Sequence, residues 1–196
     1  MNDLTGRLAS WAAARKLPTD RGELAGGVLG TAVFSPDHHY RYILTRTWAA
    51  GRPHLAWVML NPSTASGRAD DNTLRRICDF SRQAGAGGLV VTNLFALRAT
   101  DPSALPAHPD PIGEHNDEVL AQLATDTATD IVAGWGASWG HLHDRAATVT
   151  ALFTAAGRQL RCLGTTRSGH PRHPLRLHHK TPLSNYSTPT PVPQTS

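Results

Sequence analysis

Four short apolar runs, HLAWVML, GGLVVTNLFAL, DIVAGWG and QLRCLG, are separated by stretches of helical periodicity, and this alternation limits what the chain can fold into. A run that is apolar at nearly every position suits a strand buried on both faces. Strands alternating with helices build βαβ units, whose crossovers set a parallel sheet between two helical layers. In DDNTLRRICDFSRQAG, Leu74, Ile77, Cys78 and Ser81 share one helical face; Asp70 or Asp71 can cap its start and Gly85 can end it. GEHNDEVLAQLATDT and HLHDRAATVTALFTAAG supply two further helices. Upstream, two β-rich runs, Val28–Phe34 and residues 40–47, flank Ser35-Pro36-Asp37 and read as a hairpin. The expected fold is therefore α/β: a three-layer α/β/α sandwich with a short, mainly parallel sheet, preceded by a β-hairpin. Residues 1–27 are expected to hold a short helix and a Gly-rich linker, residues 28–180 a single α/β domain, and residues 181–196, rich in Pro, Ser and Thr, a disordered tail.

A length of 196 residues with 40% hydrophobic content suits one core, and no stretch is apolar enough to span a membrane. The start, MNDLTGRLASWAAARKL, lacks a basic-then-apolar signal pattern, so a cytoplasmic protein is expected. The two cysteines, Cys78 and Cys162, fall on a helix face and within a strand and read as reduced core thiols. The charge is uneven. The first 144 residues carry 12 Lys/Arg against 15 Asp/Glu, whereas from Arg145 onward there are 7 Lys/Arg and no acid. Such a basic end fits an anionic partner or a solvated face. No P-loop, no G-x-G-x-x-G after a strand and no G-x-S-x-G elbow occurs. His170, His173, His178 and His179 have neither H-E-x-x-H spacing nor acidic neighbours, so neither a metal nor another cofactor is expected.

Ligands of open parallel sheets bind beyond the carboxyl ends of the strands. Here those corners are Asn61-Pro62-Ser63-Thr64, then Asn93-Leu94-Phe95 running on to Arg98, then Gly134-Trp135-Gly136, and finally a loop with His170, Arg172 and His173. An asparagine amide offers an acceptor and two donors, the complement of a nucleobase edge. Histidine can donate to an oxygen on which negative charge develops. Phe95 and Trp135 are rings available for stacking, and Arg98, Arg167 and Arg172 are available for a phosphate or carboxylate. Asp101-Pro102 and Asp110-Pro111 read as caps and turns.

Five ordered motifs, LNPSTASGRADDNTLRR, VVTNLFALRATDP, DPIGEHND, AGWG and CLGTTRSGHPRHPL, resemble the bacterial family catalogued as domain of unknown function 1643, over about residues 40–177. More distantly, the corners resemble those of the uracil-DNA glycosylase superfamily, which implies a uracil-DNA glycosylase-like fold. There, an Asn or Asp before a proline orients the attacking water, an Asn ending the second strand pairs with the base, and a late His-Pro histidine stabilises the leaving base. Asn61, Asn93 and His173 match these positions, with His170-Pro171 as the competitor to His173-Pro174. Ser63 stands where many members have glycine, and no aromatic residue closely follows Asn61-Pro62.

The expected function is recognition of a nucleobase, nucleotide or DNA, with hydrolysis of an N-glycosidic bond by Asn61 and His173. Pro62, Ser63, Thr64, Asn93, Phe95, Arg98, Trp135, His170 and Arg172 are the candidate substrate contacts. The alternatives are a non-catalytic nucleotide or nucleic-acid binder, or an enzyme acting on a small anionic metabolite.

Overall fold

The computed structural model describes residues 4–137 and 141–187. The elements are α1 (Leu4–Ala14), β1 (Thr19–Leu24), β2 (Val28–Phe34), β3 (Arg41–Thr47), β4 (His54–Met59), α2 (Asn72–Gln83), β5 (Gly88–Asn93), α3 (Asn116–Ala124), β6 (Ile131–Ala133), α4 (His141–Ala155), β7 (Leu160–Cys162) and β8 (Ser184–Asn185). They form one eight-stranded sheet in the order β1-β2-β3-β5-β4-β6-β7-β8. The chain is α/β, as the alternation of apolar runs and helical segments implies.

The sheet is mixed, which corrects the expectation of a mainly parallel one. β4 pairs in parallel with β5 and β6, and β6 with β7, but β1/β2, β2/β3, β3/β5 and β7/β8 are antiparallel. The physical reason lies at the edges. An exposed strand edge presents a row of unpaired N–H and C=O groups. The hairpin β2–β3 does not precede the sheet as a separate unit; β3 closes the outer edge of β5, with Leu44 opposite Val91 and Thr47 opposite Gly88. The supposed linker within residues 1–27 supplies β1, which turns over Gly26 and Gly27, both at positive φ, to pair with β2. The far edge corrects the disordered-tail expectation in the same way. β8 pairs with β7, Tyr186 N donates to Leu160 O at 2.8 Å, and the Tyr186 ring packs edge-on to Trp135 at 5.7 Å. Burial pushes the Tyr186 phenol up to about 12. Residues 188–196 of that predicted tail lie outside the described residues.

Side chains alternate across the central strands and build two cores. On one face, Ala56, Val58, Val90, Ile131 and Ala133 pack with α1, α3 and α4 through Leu8, Leu120, Val149 and Phe153. On the other, Leu55, Trp57, Met59, Leu89, Val91 and Val132 pack with α2 through Leu74, Ile77 and Phe80. Cys162 belongs to the first core and Cys78 to the second, where burial raises the Cys78 thiol to about 12 and leaves it unreactive.

The loop between β4 and α2 is tied down by its neighbours. Arg46 on β3 is fully buried. Its guanidinium donates to the carbonyls of Thr45, Ser66 and Ala69 and pairs with Asp70 at 2.7 Å. Arg41, five residues earlier at the start of β3, donates to Ala65 O at 2.6 Å. From β1, Asp20 accepts from Gly67 N and from Arg68 Nε, each at 2.9 Å. Backbone approaches backbone so closely here that a Cβ on Gly30 would lie 2.1 Å from Gly67 O. Asp71, not Asp70, caps α2, accepting from Leu74 N at 2.7 Å. Removing Arg46 strands three carbonyls and a partly buried carboxylate. Arg46→Met is therefore expected to lower the unfolding free energy by roughly 3 kcal/mol in urea titrations. A loss below about 1 kcal/mol would show that the loop does not depend on this anchor.

Candidate functional site

From β4 the chain crosses to β5 on one side and later to β6 on the other, leaving a crevice at the carboxyl ends of the strands. A cavity of about 230 Å³ opens at the carboxyl ends of β4 and β5, on the α2 face. Met59, Val91, Leu74 and Ile77 supply its apolar wall; Arg41, Asn61, Ser63, Asp71, Asn93 and His173 supply its polar groups. The volume lies below the roughly 300–1,000 Å³ of sites for drug-sized ligands and suits a single small ring.

Asn93 sits at the floor. It ends β5 in register with Leu89 and Val91, so the period of two turns its side chain to the α2 face. The backbone around it is satisfied: Asn116 Nδ2 donates to Asn93 O at 3.1 Å and to Leu94 O at 3.0 Å, and Arg145 Nε donates to Leu94 O at 2.9 Å. The side-chain amide is not. Both Oδ1 and Nδ2 are buried without a hydrogen-bond partner among the described residues. Leaving such a group unpaired costs about 1–3 kcal/mol.

The other polar groups differ in how much of them is free. Asn61 Nδ2 donates to Pro62 O at 2.9 Å and Ala99 O at 2.8 Å, tying its own loop to the one after β5. Only Oδ1 is left for the cavity. His173 Nδ1 accepts from Leu175 N at 3.3 Å, which assigns the neutral ring's proton to Nε2. A Cβ on Gly136, at φ 81°, would lie 3.3 Å from His173 Cβ, so the third corner lies close against the base of that side chain. Arg41 is buried, with Nε unpaired. Burial lowers its guanidinium to about 10, against the pull of Asp71, and it stays a cation at neutral pH. Asp71 offers the carboxylate oxygen not used to cap α2.

The remaining expected contacts are placed elsewhere. Phe95 and Trp135 are buried in the core on the opposite face, so neither ring lines the cavity and stacking by them is excluded in this arrangement. Trp135 packs on Tyr186, and its Nε1 is unpaired. Pro62 is buried and contributes its carbonyl to Asn61 and to Ala99 N. Thr64 and Arg98 line an adjacent groove, and Ser63 lines both. Of the two late histidines, His173 lines the cavity. His170 is buried in a tight loop, where its carbonyl accepts from Thr166 N. Arg172 is exposed, its backbone bonded to Gly164 O, and it lines neither space. Asp101 and Asp110 are turn residues, accepting from Ser103 N at 2.9 Å and from Gly113 N at 2.9 Å. No motif in the sequence marks Arg41 as a site residue. Its signal is present in RYILTRT, where two arginines interrupt a strand otherwise fit for burial. Among the described residues no group of three or more His, Cys, Asp and Glu side chains is placed to hold a metal ion, and no helix is long and apolar enough to cross a membrane.

Residues 41–175 match the family model described as "Protein of unknown function (DUF1643)". The chain belongs to this family. The DUF1643 match begins at Arg41 and ends two residues after His173, so every residue lining the cavity falls within it. β1, β2, α1 and Tyr186 lie outside the DUF1643 segment. Searches of the curated proteins and of the solved structures gave no match.

Two stability measurements report on this site. Asn93→Leu replaces an unpaired amide with an apolar group of similar volume and is expected to raise the unfolding free energy of the ligand-free protein by about 1 kcal/mol; a loss of that size would mean that the amide is bonded. His173 gives a pH signature. Burial holds its pKa below the ordinary 6.5, opposed by Asp71. The folded chain then binds the proton more weakly than the unfolded chain, so this contribution is present above about pH 6.5 and is lost as pH falls through the lowered value. Denaturant titrations from pH 7.5 to pH 5 are expected to show that decline in wild type and a shallower one in His173→Gln; equal slopes would remove His173 from the account.

Proposed function

We propose that this cavity recognises a nucleobase, free or within a nucleotide, and that the protein hydrolyses an N-glycosidic bond. The observation that carries the reading is Asn93, whose buried amide presents an acceptor and a donor with no protein partner to satisfy them. A planar ring bearing an amide-like edge satisfies both at once, and the apolar wall of Met59, Leu74 and Ile77 suits its faces. The likeness of the corners to those of the uracil-DNA glycosylase superfamily supports the same reading, although the mixed sheet gives it no further weight.

For the chemistry, the free oxygen of Asp71 is the base and Asn61 Oδ1 a second acceptor for a water molecule. Water loses a proton to Asp71 as its oxygen bonds to the anomeric carbon. The C–N bond breaks with its electron pair passing to the base, and His173 Nε2–H donates to the oxygen on which the charge collects. Arg41 balances the carboxylate. Asparagine caps a helix as well as aspartate does but accepts no proton. Asp71→Asn is therefore expected to keep the helix cap and the fold, with some stability lost because buried Arg41 loses its opposing charge, while reducing base release from nucleosides, nucleotides or oligonucleotides about 100-fold or more. A variant that retains over a tenth of wild-type turnover would discard Asp71 as the base.

In binding, a base at one hundred times its dissociation constant stabilises the fold by about 2.7 kcal/mol, a shift visible in thermal melts. Asn93→Ala should abolish that shift. A base that stabilises both proteins equally would place recognition elsewhere.

A further inference from the structure

Beside the cavity runs a wider, more open groove of about 740 Å³. The two spaces share Ser63, Ala99 and Thr100, which form the rim between them. The groove's polar wall is made by Arg98, His38, His39 and His108. Arg98 is exposed, and its guanidinium is held in place by a carbonyl and a ring. Its Nη1 donates to His38 O at 3.0 Å, and the group lies 5.2 Å over the Phe34 ring. No carboxylate pairs with it among the described residues. His108 has Nδ1 engaged with the Asp110 backbone, and His39 has Nδ1 3.2 Å from Asp37 Oδ2, so each has Nε2 remaining. His38 sits at φ 60°, a costly conformation for a residue other than glycine, and leans on Phe34 with ring centroids 5.0 Å apart. The acid in this wall is Asp101, whose carboxylate caps the Pro102–Ala107 turn through Ser103 N.

We infer that this groove is a phosphate site, and that the ligand is a base carrying a phosphate ester on its sugar. This rests on the base reading of the cavity. The base occupies the Asn93 cavity, the sugar crosses the rim at Ser63 and Thr100, and the phosphate takes charge-assisted hydrogen bonds from Arg98 and from each imidazole whose Nε2 carries a proton. The ester is that of a free nucleotide or of a polynucleotide backbone, since the two share this chemistry.

The test is calorimetric titration of wild type, Arg98→Ala, Arg98→Glu and Asn93→Leu. The probes are the five common bases, their nucleosides, their 5′-monophosphates, ribose 5-phosphate and single-stranded DNA hexamers. For at least one base, the monophosphate or the hexamer is expected to bind wild type at least tenfold more tightly than the nucleoside. Arg98→Ala removes that increment, Arg98→Glu makes the phosphate unfavourable, and both leave nucleoside affinity within twofold. A tighter hexamer than monophosphate assigns a polynucleotide, and the reverse assigns a free nucleotide. Bases and nucleosides that bind through Asn93 with no gain from the phosphate, or a gain that survives Arg98→Ala, would overturn the groove and leave the base reading standing. Binding of ribose 5-phosphate that is lost in Arg98→Glu, with no base bound, would keep the groove and overturn the base reading. Silence from every probe would overturn both. Thermal melts of the Arg98 variants, whose substituted side chain is exposed, are expected to match wild type and serve as the folding control.

Discussion

The buried Arg46 guanidinium, bonded to the carbonyls of Thr45, Ser66 and Ala69 and to Asp70, is the interaction on which the site depends. The segment from Asn61 to Asp71 has no regular secondary structure, and left alone it would lose its shape to conformational entropy. Two arginines of β3 and one aspartate of β1 satisfy its backbone instead, and the bare glycines Gly30 and Gly67 let it lie against the sheet. The antiparallel half of the sheet therefore gives shape to a loop of the parallel half. Once that loop is fixed, Asp71 stands at the start of α2 and Asn61 bridges to Ala99, so both reach the cavity from rigid supports.

Against this frame, unpaired buried polar atoms lie at the cavity, on Asn93 and Arg41, and also away from it, on His115, Asn116, Trp135 and Arg158. Asn93 lacks partners for both amide atoms and Arg41 for Nε, although the carbonyls a few ångströms behind them are bonded. Buried polar groups in folded proteins are nearly always paired, so an amide left open costs stability and is tolerated where something else binds to it. The same reasoning weakens the case for Asn61 as a chemical group. Two of its bonding positions are spent on Pro62 and Ala99, and its main contribution is to hold two loops together. The carboxylate of Asp71, facing Arg41 and His173, is better suited to accept a proton.

Much of the architecture was legible in the sequence because it follows from periodicity. Uninterrupted apolar runs gave β4 to β7, the helical spacing of Leu74, Ile77 and Cys78 gave α2, and Ser35-Pro36-Asp37 marked the turn between β2 and β3. Pairing partners are not encoded that way. Nothing in the residues of β3 says that it will close the edge of β5, so the sheet reads as mainly parallel until the antiparallel pair is seen. β1 looks like a linker because its TDRGEL pattern is polar and half exposed, and β8 hides in a Pro-rich segment because two residues suffice to make it. For the site, a strand end identifies Asn93 but not which face a nearby ring will choose; Phe95 and Trp135 went to the opposite core. Arg41 was legible only as an anomaly, a cation where a strand should be apolar.

The most direct test of the account follows the Asn93 side-chain amide itself. In a protein labelled with nitrogen-15 at asparagine, its resonance is assigned by its loss in Asn93→Leu, and the free bases and their nucleosides are then titrated in. The account predicts that one of them shifts the Asn93 amide strongly, while the Asn116 amide, already bonded to Asn93 O and Leu94 O, moves little. A base that binds without moving Asn93, or an Asn93 amide indifferent to every base and nucleoside, would contradict it.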